Sequence, residues 1–306
     1  MKIIFAGTPA NAARTLGLLV SSGFNVVGVL TRSDAPKGRN GNTTESPVAE
    51  TAAFHGIDVF KTNAVSKEAL DWMQSKSPDL GVIVAYGSIL KNEALGIPSL
   101  GWLNVHYSLL PEYPGASPVQ NAILDGRTTT GVTVFQLDSG VDTGPILSSQ
   151  SLEIPQNATG GSLLEELTDL GASLLMDTIS NLDQRVAVRR IQPQNSGFVV
   201  TRRINRAMAR ITFSEPCSKV VNLVRAMNPE PVAWFEWDSV AVRVLEAKVS
   251  SARSIALGSA QLVDGELVVG CTDGAVVLSV VQPAGKRPMK GSDWFRGLRR
   301  ESLLLS

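Results

Sequence analysis

Asn104 and His106 stand two residues apart at the end of a short apolar run, residues 102–105, and Asp142 follows in Val141-Asp142-Thr143-Gly144. Side chains of an extended strand alternate between faces, so the carboxamide and the imidazole point the same way. If the strand is a parallel one buried by helices on both faces, its C-terminal end is where open α/β sheets bind ligands. An amide donor, an imidazole and a carboxylate gathered there form a set suited to acyl transfer. Each residue also has an ordinary reading. Asn at a strand end and Asp-Thr-Gly are turn chemistry, and a lone histidine is often structural. The connecting loop weighs the other way, because Pro111, Pro114, Gly115 and Pro118 stiffen it and expose backbone groups beside the histidine.

Three strands must carry this set. Residues 79–87 read as a continuous apolar strand of the buried parallel kind, so Val84, Ala85, Tyr86 and Gly87 should line the crevice at its end. Residues 132–137 alternate and read as the strand that delivers Asp142. The opening, residues 2–6, is a first buried strand, followed by Gly7-Thr8-Pro9, a helix over 11–21 and a strand over 26–30. This is a Rossmann-like start, but Gly7 stands alone without a G-x-G-x-x-G pattern, which argues against a dinucleotide.

Residues 31–47 are polar and rich in Gly, Asn and Pro, which predicts a long exposed loop of the kind that tends to be functional. Helices over 47–55 and 67–76 flank a short strand over 58–60. His55 precedes Gly56 at a helix end and reads as structural, facing the C-terminal dipole. Ser162-Leu163-Leu164-Glu165 reads as a capping box opening a long amphipathic helix. From residue 214 the pattern changes to one helix, over 218–227, and short strands over 232–237, 240–249, 266–271 and 275–282. Asp264-Gly265 and Asp273-Gly274 supply hairpin turns, and such strands suggest a small barrel.

At 306 residues, 43% hydrophobic and 18% charged, the chain is long enough for two domains and reads as soluble and globular. No apolar run is long enough to span a membrane, and the N-terminus does not read as a signal peptide. Cys217 and Cys271 lack C-x-x-C spacing, so neither a metal site nor a disulfide is expected, in keeping with a reducing cytoplasm. The net charge of zero hides an asymmetry. Residues 1–183 hold 10 basic and 18 acidic residues, and residues 184–306 hold 18 and 10. The basic half either meets a polyanion or is drawn to the acidic half.

The succession Asn104-Val105-His106, Ser108-Leu109-Leu110-Pro111, Gly115-Ala116-Ser117-Pro118-Val119-Gln120, Gly131-Val132-Thr133 and Val141-Asp142-Thr143-Gly144 closely resembles the 10-formyltetrahydrofolate-dependent formyltransferases. The resemblance runs over nearly the whole chain. It implies an α/β, Rossmann-like parallel-sheet catalytic domain over residues 1–183 and a basic linker over 184–204. A small β-barrel of the open-barrel, oligonucleotide-binding type would follow over 205–306. Asn104, His106 and Asp142 would be the catalytic trio, and Ser108, Leu109, Leu110 and Pro111 the tetrahydrofolate-binding segment. The folate would be a consumed cosubstrate, with no metal.

Relatives that act on small amines or on water lack the second domain or carry a different one. The basic barrel therefore points to the branch that formylates charged initiator tRNA. A non-catalytic RNA-binding protein of this architecture would be expected to lose the trio, which is intact. Arg39 would meet the acceptor end of the tRNA, with Arg202, Arg203, Lys286 and Arg287 on a basic face of a monomer. The chain departs from the family where Glu112-Tyr113-Pro114 replaces the usual Arg-Trp-Arg, and where Asn40-Gly41-Asn42-Thr43-Thr44 replaces a lysine-richer stretch.

Overall fold

The computed structural model describes residues 1–36, 43–193, 197–252 and 255–305. The chain divides into two compact units, residues 1–115, 130–152 and 164–200 in the first and 116–129, 153–163 and 201–306 in the second.

In chain order the elements are β1 (Lys2–Gly7), α1 (Ala10–Ser21), β2 (Asn25–Thr31), β3 (Ala35–Pro36), β4 (Thr43–Thr44), α2 (Pro47–Phe54), β5 (Val59–Lys61) and α3 (Lys67–Ser75). There follow β6 (Leu80–Val84), α4 (Asn92–Leu95), β7 (Trp102–His106), α5 (Pro118–Leu124), β8 (Thr129–Gln136), β9 (Ile146–Glu153), α6 (Gly160–Ser180) and α7 (Leu182–Ala187). The loop expected over 31–47 contains a small antiparallel ribbon, β3 against β4. Arg39, within that loop, lies outside the described residues.

The first unit is built on one sheet with strand order β5-β2-β1-β6-β7-β8-β9. Pairing is parallel from β5 through to β7, and β8 runs antiparallel to β7. Strands β1 and β6 are apolar and buried along nearly their whole length, as a parallel sheet with both faces covered requires. The chain winds outward from β1 in both directions, so a crevice opens between the carboxyl ends of β1 and β6. Ser46 caps α2, accepting from Ala49 N–H at 3.0 Å, and its hydroxyl meets that of Thr31 at the end of β2 at 2.7 Å.

Gly81 is required where β6 passes β7, because a Cβ there would overlap the Trp102 ring. Trp102 is buried, and its indole N–H donates to the carbonyl of Ala94 at 3.0 Å. Strand β8 departs from the expected alternation, since Thr130 to Phe135 are all buried. One face is covered by α6, whose Gly171 lies close to Val132, and the other by the loop after β7, where Leu110 packs on Phe135.

Helix α6 starts earlier than expected, and its capping box is Thr159 with Ser162 rather than Ser162 with Glu165. The Thr159 hydroxyl accepts from Ser162 N–H at 3.1 Å, and the Ser162 hydroxyl accepts from Thr159 N–H at 3.0 Å. The stretch read as a linker carries structure of its own. It includes part of α7, and Arg190 pairs antiparallel with Ile146.

In the second unit α8 (Cys217–Ala226) precedes β10 (Ala233–Trp237), β11 (Val240–Val249), β12 (Ser259–Val263), β13 (Glu266–Cys271), β14 (Gly274–Pro283), β15 (Met289–Lys290), α9 (Gly291–Gly297) and β16 (Leu303–Leu304). Its antiparallel sheet has the order β10-β11-β14-β13-β12-β16 with β15 on β14, an open half-barrel. Irregularities in β11 near Glu246 bend it against β14. Phe235 anchors the core edge-to-face between Phe213 and Trp294, at 5.7 and 5.8 Å.

Asp264 and Gly265 both take positive φ and make the expected two-residue turn. In the next hairpin Cys271 pairs with Gly274, so Thr272 and Asp273 form the turn and not Asp273-Gly274. The Asp273 carboxylate instead accepts from Cys217 N–H at 2.7 Å, at the start of α8. No helix among the described residues is long and apolar enough to cross a membrane.

Candidate active site

Strand β7 emerges next to the crevice, with Asn104 in register with Ile83 of β6 and Phe135 of β8, and His106 opposite Thr133. His106 is buried against the edge of Phe135. Its Nε2 donates to the carbonyl of Tyr113 at 2.9 Å, and its Nδ1 faces Asp142 Oδ2 at 3.6 Å. Both ring nitrogens therefore face acceptor oxygens. Asn104 is half-buried, and among the described residues its carboxamide makes no hydrogen bond.

Asp142 reaches the histidine from a turn in which its own φ is +55°. Aspartate tolerates this left-handed conformation better than most residues. Its Oδ2 also accepts from Gly115 N–H at 2.6 Å, which ties the turn to the far end of the loop after β7. That loop is held from below: Thr133 Oγ1 donates to the Ser108 carbonyl at 2.7 Å and accepts from Leu110 N–H at 3.0 Å. Asn104, His106 and Asp142 are thus gathered at one strand end, on a frame of backbone contacts.

The segment expected to bind folate sits beside them. Ser108 and Leu110 are buried, the Ser108 hydroxyl donating to the Glu112 carbonyl, so Leu109, Pro111 and backbone groups are what the segment can present. At the end of β6, Val84 and Tyr86 are buried whereas Ala85 and Gly87 are exposed, both with positive φ. Burial pushes the Tyr86 hydroxyl up to about 12, with Arg32 acting weakly in the other direction. Thr8 donates to the Tyr86 carbonyl at 2.8 Å and so joins the ends of β1 and β6. Among the described residues no cluster of His, Cys, Asp and Glu could hold a metal ion.

In the second unit Arg202, Arg203, Lys286 and Arg287 are all exposed. Sequence reasoning missed a tighter basic cluster in the same unit. The guanidinium carbons of Arg206 and Arg210 lie 5.1 and 5.6 Å from the Trp234 ring centre, and Arg243 is the cross-strand neighbour of Trp234. The signal was an exposed-face tryptophan with arginines preceding its strand, but the loop path that returns them to it is not local.

The formyl transferase family matches residues 1–179, and the formyl transferase C-terminal domain matches residues 203–299. The chain is 40% identical to the methionyl-tRNA formyltransferase of Clavibacter michiganensis subsp. michiganensis over 97% of each chain. It is 37% identical to that of Chloroflexus aggregans over 100% of each. Among solved structures it is similar in fold to WlaRD, a sugar 3N-formyl transferase, with a TM-score of 0.67 at 18% identity over 94% of this chain and 99% of that one. Matched along both units and throughout the length of such relatives, the chain belongs to the formyl transferase family, among the methionyl-tRNA formyltransferases.

Proposed function

We propose that the chain transfers the formyl group of 10-formyltetrahydrofolate to the free amino group of methionine esterified to initiator tRNA, giving formylmethionyl-tRNA. The full-length similarity to methionyl-tRNA formyltransferases supports the substrates. The observation that carries the chemistry is the Asn104 carboxamide, without a hydrogen bond among the described residues, next to His106, whose ring is flanked by Asp142.

The amine attacks the formyl carbon and the carbonyl electron pair moves onto oxygen. The tetrahedral intermediate collapses with cleavage of the bond to N10 of the folate, which takes up a proton as the amine gives one up. Asn104 donates to the oxyanion. His106 joins it by turning its Nε2–H from the neutral Tyr113 carbonyl to the charged oxygen, because charge-assisted hydrogen bonds are the stronger ones. These interactions grow only as charge develops, which is what lowers a barrier. Asp142, fixed by Gly115 N–H, keeps the ring oriented.

Residues 1–183 supply this chemistry, 184–204 join the parts, and 205–306 grip the RNA. Arg39, Arg202, Arg203, Lys286 and Arg287 contact phosphates, together with Arg206 and Arg210 around Trp234. The chain works as a monomer in the cytoplasm, where Cys217 and Cys271 stay unbridged. The test is a transfer assay with labelled 10-formyltetrahydrofolate, offering Met-charged initiator tRNA, Met-charged elongator tRNA and glycinamide ribonucleotide in parallel. Label confined to the initiator, and largely lost in His106→Ala, is the expected result. Transfer to the small amine, or to none, would overturn the reading.

A further inference from the structure

Gln192 belongs to the stretch whose composition reads as a linker, yet its side chain is buried, at 8% exposure. Its Nε2 donates to the carbonyl of Asp142 at 2.9 Å and to the carbonyl of Gly144 at 2.7 Å. Both hydrogens of the carboxamide are thereby used. Two residues earlier, Arg190 exchanges backbone hydrogen bonds with Ile146, 2.8 Å in each direction, and its guanidinium reaches the Leu110 carbonyl at 3.4 Å. The chain over 190–192 is stitched along the turn that carries Asp142 and to the loop beside it.

That turn needs support. Asp142 is in the left-handed region at φ +55°, and a Cβ at Gly144 would collide with the Gln136 carbonyl, so the backbone is confined to a single path. Asp142 faces His106 Nδ1 at 3.6 Å, near the limit of useful contact, where a displacement of about 1 Å would cost much of the pairing. Among the described residues, the hydrogen bonds of the Gln192 side chain go to the Asp142 turn and not to the histidine. It grips the two carbonyls that bracket Thr143 and thereby sets where the carboxylate of Asp142 can stand.

We infer that Gln192 is a positioning residue for formyl transfer, acting through the Asp142 turn on the ring of His106. The inference rests on the proposed roles of Asp142 and His106. The test therefore includes a readout that needs no activity. The chain has two histidines, and the other, His55, caps α2, so the ring ¹⁵N and proton resonances of His106 can be followed in the full-length labelled protein.

Gln192→Met keeps length and volume but removes both donors. It should move the His106 resonances in the direction produced by Asp142→Asn and lower kcat about tenfold or more, with KM for 10-formyltetrahydrofolate within about twofold. In an Asp142→Asn background the same substitution should add little, because the two act through one contact. Gln192→Glu, which sets a carboxylate against the two carbonyls, should be at least as damaging and replaces Gln192→Met if that variant fails to fold. Unmoved His106 resonances in a folded variant, or an equal loss of kcat in the Asp142→Asn background, would overturn the inference. If the resonances move although the unmodified chain transfers no formyl to any acceptor, the positioning role stands and the proposed function falls. If the chain transfers formyl and the resonances stay, the reverse holds.

Discussion

Nε2 of His106 lies 2.9 Å from the carbonyl oxygen of Tyr113, so the nitrogen proposed to serve the reaction already has a partner before substrate arrives. The arrangement holds the ring in place and leaves Asn104 as a donor with no hydrogen bond among the described residues. It also brings the unusual Glu112-Tyr113-Pro114 stretch into the chemistry through its backbone, which makes no demand on the side chains that differ from the family pattern.

Asn104→Ala should lower kcat on the order of a hundredfold or more, the usual result of deleting one oxyanion donor. Because the carboxamide makes no hydrogen bond among the described residues, the melting temperature should change little. Steady-state kinetics with thermal unfolding on the same preparation checks both halves. A large loss of stability would mean that the side chain has a structural duty.

Asp142→Asn preserves shape and can still accept from Gly115 N–H, but it removes the charge opposite His106. Turnover should fall by about 10² or more while the fold persists, since a catalytic histidine that loses its orienting carboxylate loses at least that much. The measurement is kcat beside the circular dichroism spectrum. Near-normal turnover would show that the carboxylate only fills space.

Gly81→Ala places a methyl group in the Trp102 ring, with that ring fixed by its bond to Ala94. Overpacking of this kind costs about 1–3 kcal/mol and should lower the melting temperature measurably. Combining it with Trp102→Leu, which removes the ring that the methyl meets, should cost less than the sum of the two single losses. Strict additivity of the two would refute the stated contact.

Trp234→Ala, and the pair Arg206→Ala with Arg210→Ala, should weaken tRNA binding without changing KM for the folate. Loss of one aromatic stacking platform costs about 1–3 kcal/mol, or roughly 5- to 150-fold in Kd. Loss of two phosphate contacts should reduce the slope of log K against log salt by about two. Binding titrations at several salt concentrations separate the two effects. Unchanged affinity in every variant would show that the cluster is only a surface stack.

Much of the catalytic unit was legible before any coordinates. Strands β1 and β6 are nearly continuous apolar runs, and the two-residue spacing of Asn104 and His106 on β7 has one meaning in an extended chain. Local chemistry also announced the Asp264-Gly265 turn and the start of α2 at Pro47. The start of α6 was misplaced because Ser162-Leu163-Leu164-Glu165 imitates a cap, whereas Thr159 with Ser162 makes the actual reciprocal pair. Short elements such as β12 and α9 were missed because their periodicity is too brief to register and their stability comes from neighbours in the sheet.

What the sequence by itself determined is the chemical set and the order in which strands deliver it, because side-chain alternation and buried apolar runs are local properties of the chain. Only the tertiary structure decided which acceptors face the ring of His106, that Gln192 returns from a seeming linker to hold the Asp142 turn, and that Arg206 and Arg210 close on Trp234. Those contacts join residues 7 to 50 positions apart through backbone carbonyls, positive-φ turns and loop paths. Their partners are chosen by packing, which no local pattern of residue types encodes.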